Sequence, residues 1–257
     1  MTQYERRQFL IAALRAESPY ADAVVPSDDE DAQKQLLRAL MNVRPPAPLD
    51  DTVRRVQDAY LIEAIRERGV TDAASLVPVR GDLYVWRGDI TTLQCGAIVN
   101  AANSGMTGCY IPGHRCIDNA IHTYAGMQLR LHCAQLMQVQ GHAEETGRAK
   151  ITPAYNLPCT HIIHTVGPIV SGAVTQHDRD MLAQCYRSCC ALADEHAVGS
   201  IAFCCISTGE FHFPPQAAAE IAVATVERYK RQTGSLLKVI FNVFQESDER
   251  IYRNIFR

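Results

Sequence analysis

The pattern of apolar and polar positions changes character near residue 80. Before it, the chain reads as helices only: Tyr4–Arg15, Asp28–Val43 and Thr52–Arg68. Ser27 with Glu30 three residues on forms a capping box for the second, and Pro45-Pro46-Ala47-Pro48 ends it. After residue 80, short β-branched or aromatic runs predict strands at Leu83–Trp86, Ala97–Asn100, His161–Val166, Ser200–Ile206 and Lys238–Phe244. Longer helical patterns lie between or after them, near Ile117–Met137, Arg179–His196, Pro215–Thr233 and Asp248–Phe256. This alternation predicts an α/β sandwich around a largely parallel sheet, preceded by an N-terminal helical extension over residues 1–80.

A chain of 257 residues is long enough to bury a well-formed core. Its net charge of −3 gives no electrostatic footprint for nucleic acid or an anionic membrane, so neither is expected as a partner. No apolar run approaches the length needed to span a bilayer. Arg6-Arg7-Gln8-Phe9-Leu10 looks like a twin-arginine export signal, but the apolar stretch after it is interrupted at Arg15 and Glu17, and an amphipathic helix is the better reading. Ten cysteines without an export signal are then expected to be mostly reduced, in a cytoplasmic protein. The pairs Cys189-Cys190 and Cys204-Cys205, set among Ala, Leu, Ile and Phe, read as small buried hydrophobes.

Chemistry concentrates in Cys109-Tyr110-Ile111-Pro112-Gly113-His114-Arg115-Cys116, three soft metal ligands in eight residues. Zinc takes cysteine sulfur and histidine nitrogen; structural sites close with four protein ligands, whereas catalytic sites keep three and leave one position open. Pro112 and Gly113 allow the turn that brings Cys109 back towards His114 and Cys116. A fourth ligand from Cys133 or His122 would make the site structural; its absence would leave the metal open to a ligand. His122, His161, His164 and His212 otherwise read as packing or hydrogen-bonding residues. In open α/β sheets ligands lie at the carboxyl ends of the strands. Three loops fit that rule: Gly88-Asp89-Ile90-Thr91, the Asn103 loop running through the cysteines to Ile117-Asp118-Asn119, and Ser207-Thr208-Gly209-Glu210-Phe211.

Taken in order, these pieces resemble the macrodomain family, which binds ADP-ribose. The resemblance rests on Gly88–Thr91, Ala97–Ser104, Ile117–His122, Gly147–Thr152 leading to Leu157-Pro158, His161–Pro168 and Ser207–Gly209, and it covers about residues 81–257. Most macrodomains carry a run of glycines where this chain has Cys109–Cys116, and that departure is similar to the zinc-dependent branch. Members of that branch are protein-ADP-ribosylhydrolases with an N-terminal helical extension, some encoded beside a sirtuin-type ADP-ribosyltransferase and a lipoylated carrier protein. The implied fold is a three-layer α/β/α macrodomain with a mixed, largely parallel sheet.

The resemblance also implies roles. Asp89 accepts the adenine amino group, with the Ile90 backbone beside it, and main-chain groups of Cys116, Ile117, Asp118 and Asn119 hold the pyrophosphate at a helix N-terminus. The loop Ser207, Thr208, Gly209, Glu210, Phe211 closes over the phosphates and distal ribose, and Asn103 bonds a distal ribose hydroxyl. Zinc on Cys109, His114 and Cys116 faces the anomeric carbon, either polarising a ribose oxygen or activating water, and mono-ADP-ribose is released from a protein side chain. Asp118 is either the residue that orients the water or a helix-start carboxylate. The same loops would also serve a non-catalytic ADP-ribose-binding module with a structural zinc.

Overall fold

The computed structural model describes residues 1–17 and 29–257. Helix α1 (Gln3–Ala16) opens on a capping box, in which the Thr2 hydroxyl accepts from the Glu5 amide and the Glu5 carboxylate accepts from the Thr2 amide. It contains Arg6 and Arg7 within its regular turns, and Arg7 is buried, donating to Gln33 at 3.1 Å and pairing with Glu30 at 3.3 Å. The expected start of the second helix at Asp28 and its Ser27 cap lie outside the described residues. Helix α2 (Glu30–Val43) is capped there by Asp29, whose carboxylate accepts from the amides of Asp31 and Ala32. Asp50 does the same for α3 (Asp51–Glu67). The three helices bury Leu10, Ile11, Leu37, Leu40 and Leu61 in a small core of their own.

Among the described residues eight strands build the body: β2 (Leu83–Arg87), β4 (Ala97–Ala102), β5 (Ala149–Pro153), β6 (His161–Val166), β7 (Ser200–Phe203) and β8 (Lys238–Val243), with β1 (Thr71–Asp72) and β3 (Leu93–Gln94) forming a separate two-residue pair. The main sheet has six strands in the order β2-β8-β7-β4-β6-β5, all parallel except β5, which runs antiparallel to β6. Ile98, Val99, Ile162, Ile163, Ile201, Val239 and Phe241 are sealed from solvent, as expected of parallel strands covered on both faces. Helices α6 (Gln176–Glu195), α7 (Pro215–Thr233) and α8 (Glu246–Ile255) pack together as one group, and α4 (Ile117–Ala125) with α5 (Met127–Gln140) forms another that receives the extension. The result is the α/β sandwich expected from the sequence, with the antiparallel edge strand β5 as an addition. Residue 80 marks a change of character and not a gap in packing: Ile65 of α3 belongs to the sheet core, and Met127 of α5 to the core of the extension. Among the described residues no helix is long and apolar enough to cross a membrane.

The structure corrects two expectations. Ile117–Met137 is not one helix, because Gly126 adopts φ +100° and divides it into α4 and α5. A Cβ on Gly126 would sit 2.8 Å from Gln57 Nε2 and Gln128 Oε1, side-chain ends that can move aside, so it is the positive φ that calls for glycine. Gly126→Ala is therefore expected to lower the unfolding free energy by about 2 kcal/mol in a denaturant titration. Strand β7 also stops at Phe203, three residues before the expected end, because Cys204 begins the turn into the Ser207 loop. The paired cysteines behave as expected: Cys189, Cys190 and Cys204 are buried, Cys205 is partly so, and all ten are free.

Candidate active site

Parallel pairing puts the carboxyl ends of β2, β4, β6, β7 and β8 on one edge of the sheet, and the three expected loops leave from that edge. Val170, in the loop after β6, donates to Phe211 O at 2.9 Å, which ties this loop to the one after β7. At one end of the edge, Asp89 caps the short turn Ile90–Thr92, accepting from the Thr91 amide at 2.9 Å and its hydroxyl at 2.6 Å. The other carboxylate oxygen pairs with Arg68, which follows α3 and lies 4.0 Å over the Tyr124 ring. Ile90 is buried. Phe244, just past β8, is 71% exposed beside this turn, where the Gly88 amide donates to Val243 O.

The middle of the edge carries the Asn103 loop. Asn103 accepts from the Gly105 amide and donates to Gly108 O and to Asp118 Oδ2 at 3.2 Å, so its side chain shapes the loop and holds a carboxylate. Beyond it Gly113 takes φ +65°, and the expected turn brings Cys109, His114 and Cys116 together, all half-buried. Cys109 Sγ lies 3.5 Å from His114 Nδ1, and the three donor atoms fall within 4.8 Å of one another. A tetrahedral zinc with ordinary bond lengths spaces sulfur and nitrogen by about 3.6 Å, so the donor set suits zinc with little rearrangement. The His114 Nε2 atom is 3.4 Å from Glu210 Oε1, which leaves Nδ1 free on the cysteine side. Burial, together with the neighbouring Cys109 and Asp118, pushes the Cys116 thiol up to about 12; a cation at the triplet opposes that shift. Cys116 also caps α4, its sulfur accepting from the Asn119 amide.

Behind the triplet lies a buried polar chain that the sequence reading did not foresee. Asp118, in the first turn of α4, accepts from Asn100 Nδ2 at 2.8 Å, and Asn100 Nδ2 also faces His164 Nδ1 at 3.1 Å across the β4–β6 register. His164 Nε2 meets Thr152 Oγ1 at 3.0 Å, and His122 Nε2 stands 3.6 Å from Asp118. Burial raises the Asp118 carboxyl to about 6, against the opposing pull of Asn100 and Arg130. Burial likewise lowers His164 to about 3 and His122 well below its ordinary value, so both rings are neutral. His122, Cys133 and His164 form a second, fully buried group with donor atoms within 4.8 Å. Cys133 and His122, which could have supplied a fourth ligand, belong instead to that group; among the described residues neither joins the Cys109–His114–Cys116 cluster. His161 bonds Thr160 at the far end of β6, and His212 is exposed.

The third loop is held by its own backbone. The Phe213 amide donates to Ser207 O and the His212 amide to Gly209 O, with Ser207 at φ +65° and His212 at φ +57°. A non-glycine residue in that region costs roughly 1–3 kcal/mol and clusters at ligand sites. Ser207 Oγ is buried with no hydrogen-bond partner, and Glu210 reaches back to His114.

The Macro domain family model matches residues 99–222. The chain is 61% identical over 259 residues to a protein-ADP-ribose hydrolase of Treponema medium, covering 99% of each sequence. It is 51% identical over 254 residues to a protein-ADP-ribose hydrolase of Staphylococcus aureus (strain MSSA476), covering 98% of this chain and 95% of that one. Among solved structures, the Trypanosoma brucei macrodomain in complex with ADP-ribose superposes with a TM-score of 0.66 at 29% identity, over 85% of this chain and 95% of that one. The chain belongs to the macrodomain family, alongside members named protein-ADP-ribose hydrolases.

Proposed function

We propose that this protein is a zinc-dependent hydrolase that removes mono-ADP-ribose from modified protein side chains. The observation that carries the reading is the convergence of Cys109, His114 and Cys116, with Asp118 at the start of the same helix, on the strand edge that also presents Asp89 and the Ser207 loop. The names of the relatives support the reaction, and the donor chemistry supports the metal.

In this reading Asp89 accepts the adenine amino group and Phe244 offers a face for the ring, while the Ile90 backbone borders it. The main chain at the start of α4, over Cys116, Ile117 and Asp118, faces the pyrophosphate, where the helix dipole favours an anion, while the Asn119 amide is taken by the Cys116 sulfur. Ser207, Thr208, Gly209, Glu210 and Phe211 close over the phosphates and distal ribose. Cys109, His114 and Cys116 would hold the zinc, which when bound would supply Lewis acidity. Asp118, gripped by Asn100 and Asn103 and raised to about 6, would orient the attacking water in this reading. One water gives its hydroxyl to the anomeric carbon and its remaining proton to the released side chain. The lipoylated carrier protein encoded beside some members of the zinc-dependent branch is a candidate target, and a cytoplasmic setting suits ten free cysteines.

Incubation with mono-ADP-ribosylated protein is expected to release free ADP-ribose; retention of modified protein with no release would leave a binding module instead. Asp89→Ala is expected to weaken ADP-ribose binding by about 1–3 kcal/mol in calorimetry, because the ligand amino group loses its acceptor. Unchanged affinity would place adenine recognition elsewhere.

A further inference from the structure

The loop from residue 104 to residue 116 has almost no regular secondary structure, so its backbone groups need partners from outside. They find them on the extension and on the helices that receive it. Arg38 of α2 donates to His114 O at 3.0 Å and to Asn119 Oδ1 at 2.8 Å. Asn119, itself fully buried, turns its amide nitrogen to Ile111 O at 3.0 Å. Asn42 of α2 accepts from the Gly113 amide at 3.0 Å and donates to Thr123 Oγ1 at 2.9 Å. Arg130 of α5 donates to Thr107 O at 2.8 Å on one side and to the carbonyls of Asn42 and Arg44, both at 2.6 Å, on the other. The turn that brings the three donors together is thus braced at Ile111, Gly113 and His114 by side chains from α2 or anchored to it.

We propose that α2 is part of the metal centre, with Arg38 and Asn42 as positioning residues that hold the 109–116 turn so that Cys109, His114 and Cys116 converge. The extension then completes the site and is not an appendage joined to a finished domain. Arg38 fixes the carbonyl of the histidine ligand itself, and Asn42 fixes the amide of the glycine before it. Neither side chain reaches a donor atom, so their effect passes through the backbone. The proposal rests on the metal reading above.

The test uses the full chain loaded with zinc and follows transfer of zinc to a chelator, amide exchange over residues 109–116 and thermal midpoint. Arg38→Ala and Asn42→Ala are expected to release zinc about tenfold faster or more, the usual effect of losing support behind a metal ligand, with faster exchange at Gly113 and His114. Arg38→Lys is expected to restore part of the retention, since an ammonium can meet one of the two acceptors. Gln57→Ala is the control, because Gln57 joins α3 to α5 through Gln128 and the Met127 amide without touching the turn. It is expected to lower the midpoint and leave zinc release at the wild-type rate. Wild-type release from Arg38→Ala and Asn42→Ala, or equally fast release from Gln57→Ala, would overturn the proposal. If wild-type protein binds no zinc, the metal reading fails and exchange decides alone. Loss of protection confined to 109–116 in the two α2 variants then supports the brace, and unchanged protection overturns it.

Discussion

Replacing His114 by alanine is expected to empty the metal site and slow ADP-ribose release roughly a thousandfold or more, on the order of 4 kcal/mol of transition-state stabilisation. Affinity for ADP-ribose should fall much less than the rate, because Asp89 at the far end of the strand edge and most of the Ser207 loop lie outside the 109–116 turn. Rate and binding would then separate, as they do when an interaction is used mainly in the transition state. A purely structural metal predicts the reverse pattern, with stability, affinity and rate falling together as the turn loosens. Melting, calorimetry and turnover measured on the same preparation distinguish the two.

The second large effect concerns acid stability. His164 is buried, its Nδ1 faces the Asn100 amide and its Nε2 bonds Thr152, so the neutral ring has two partners and a proton on Nδ1 would point at a donor. Its folded value of about 3 lies below the unfolded value near 6.5, so its contribution is present above pH 6.5 and is lost as pH falls towards 3. Between pH 7 and pH 5 that loss amounts to about 2 kcal/mol, and the buried His122 adds to it in the same direction. Asp118, raised to about 6, opposes them: its stabilising contribution is present at low pH and lost as pH rises through that value. His164→Gln keeps an acceptor for Asn100 and a donor for Thr152 but cannot titrate. Denaturant titrations in chelator should therefore show a pH 7 to pH 5 difference smaller by about 2 kcal/mol in the variant. Identical pH dependence would show that His164 titrates alike in the folded and unfolded chain.

The parts of the site that could be read from sequence are those whose members lie close together along the chain. Cys109, His114 and Cys116 fall within one turn, and Asp89, Asn103 and Ser207 each follow a recognisable strand, so short motifs carry them. Arg38 and Asn119 are 81 positions apart and Arg68 and Asp89 are 21 apart, and charged residues on helices look the same whether they face solvent or a partner's carbonyl. The break at Gly126 was hidden because apolar periodicity continues through it, while the backbone angle that splits the helix leaves no trace in that pattern. Strands β1 and β3, two residues each, are too short to show alternation. His122 and His164 read as packing or hydrogen-bonding residues. His164 hydrogen-bonds and His122 packs, buried with neither ring nitrogen hydrogen-bonded, but grouping the two beside Cys133 requires the register of β4 with β6 and the placement of α4 and α5.

The most direct test of the central claim is the rate of ADP-ribose release from mono-ADP-ribosylated protein by one enzyme preparation as isolated, after chelation, and after return of zinc. The account predicts that chelation abolishes release, that one equivalent of zinc restores it, and that the chelated protein still binds ADP-ribose. Undiminished release from protein shown by metal analysis to be zinc-free would contradict it.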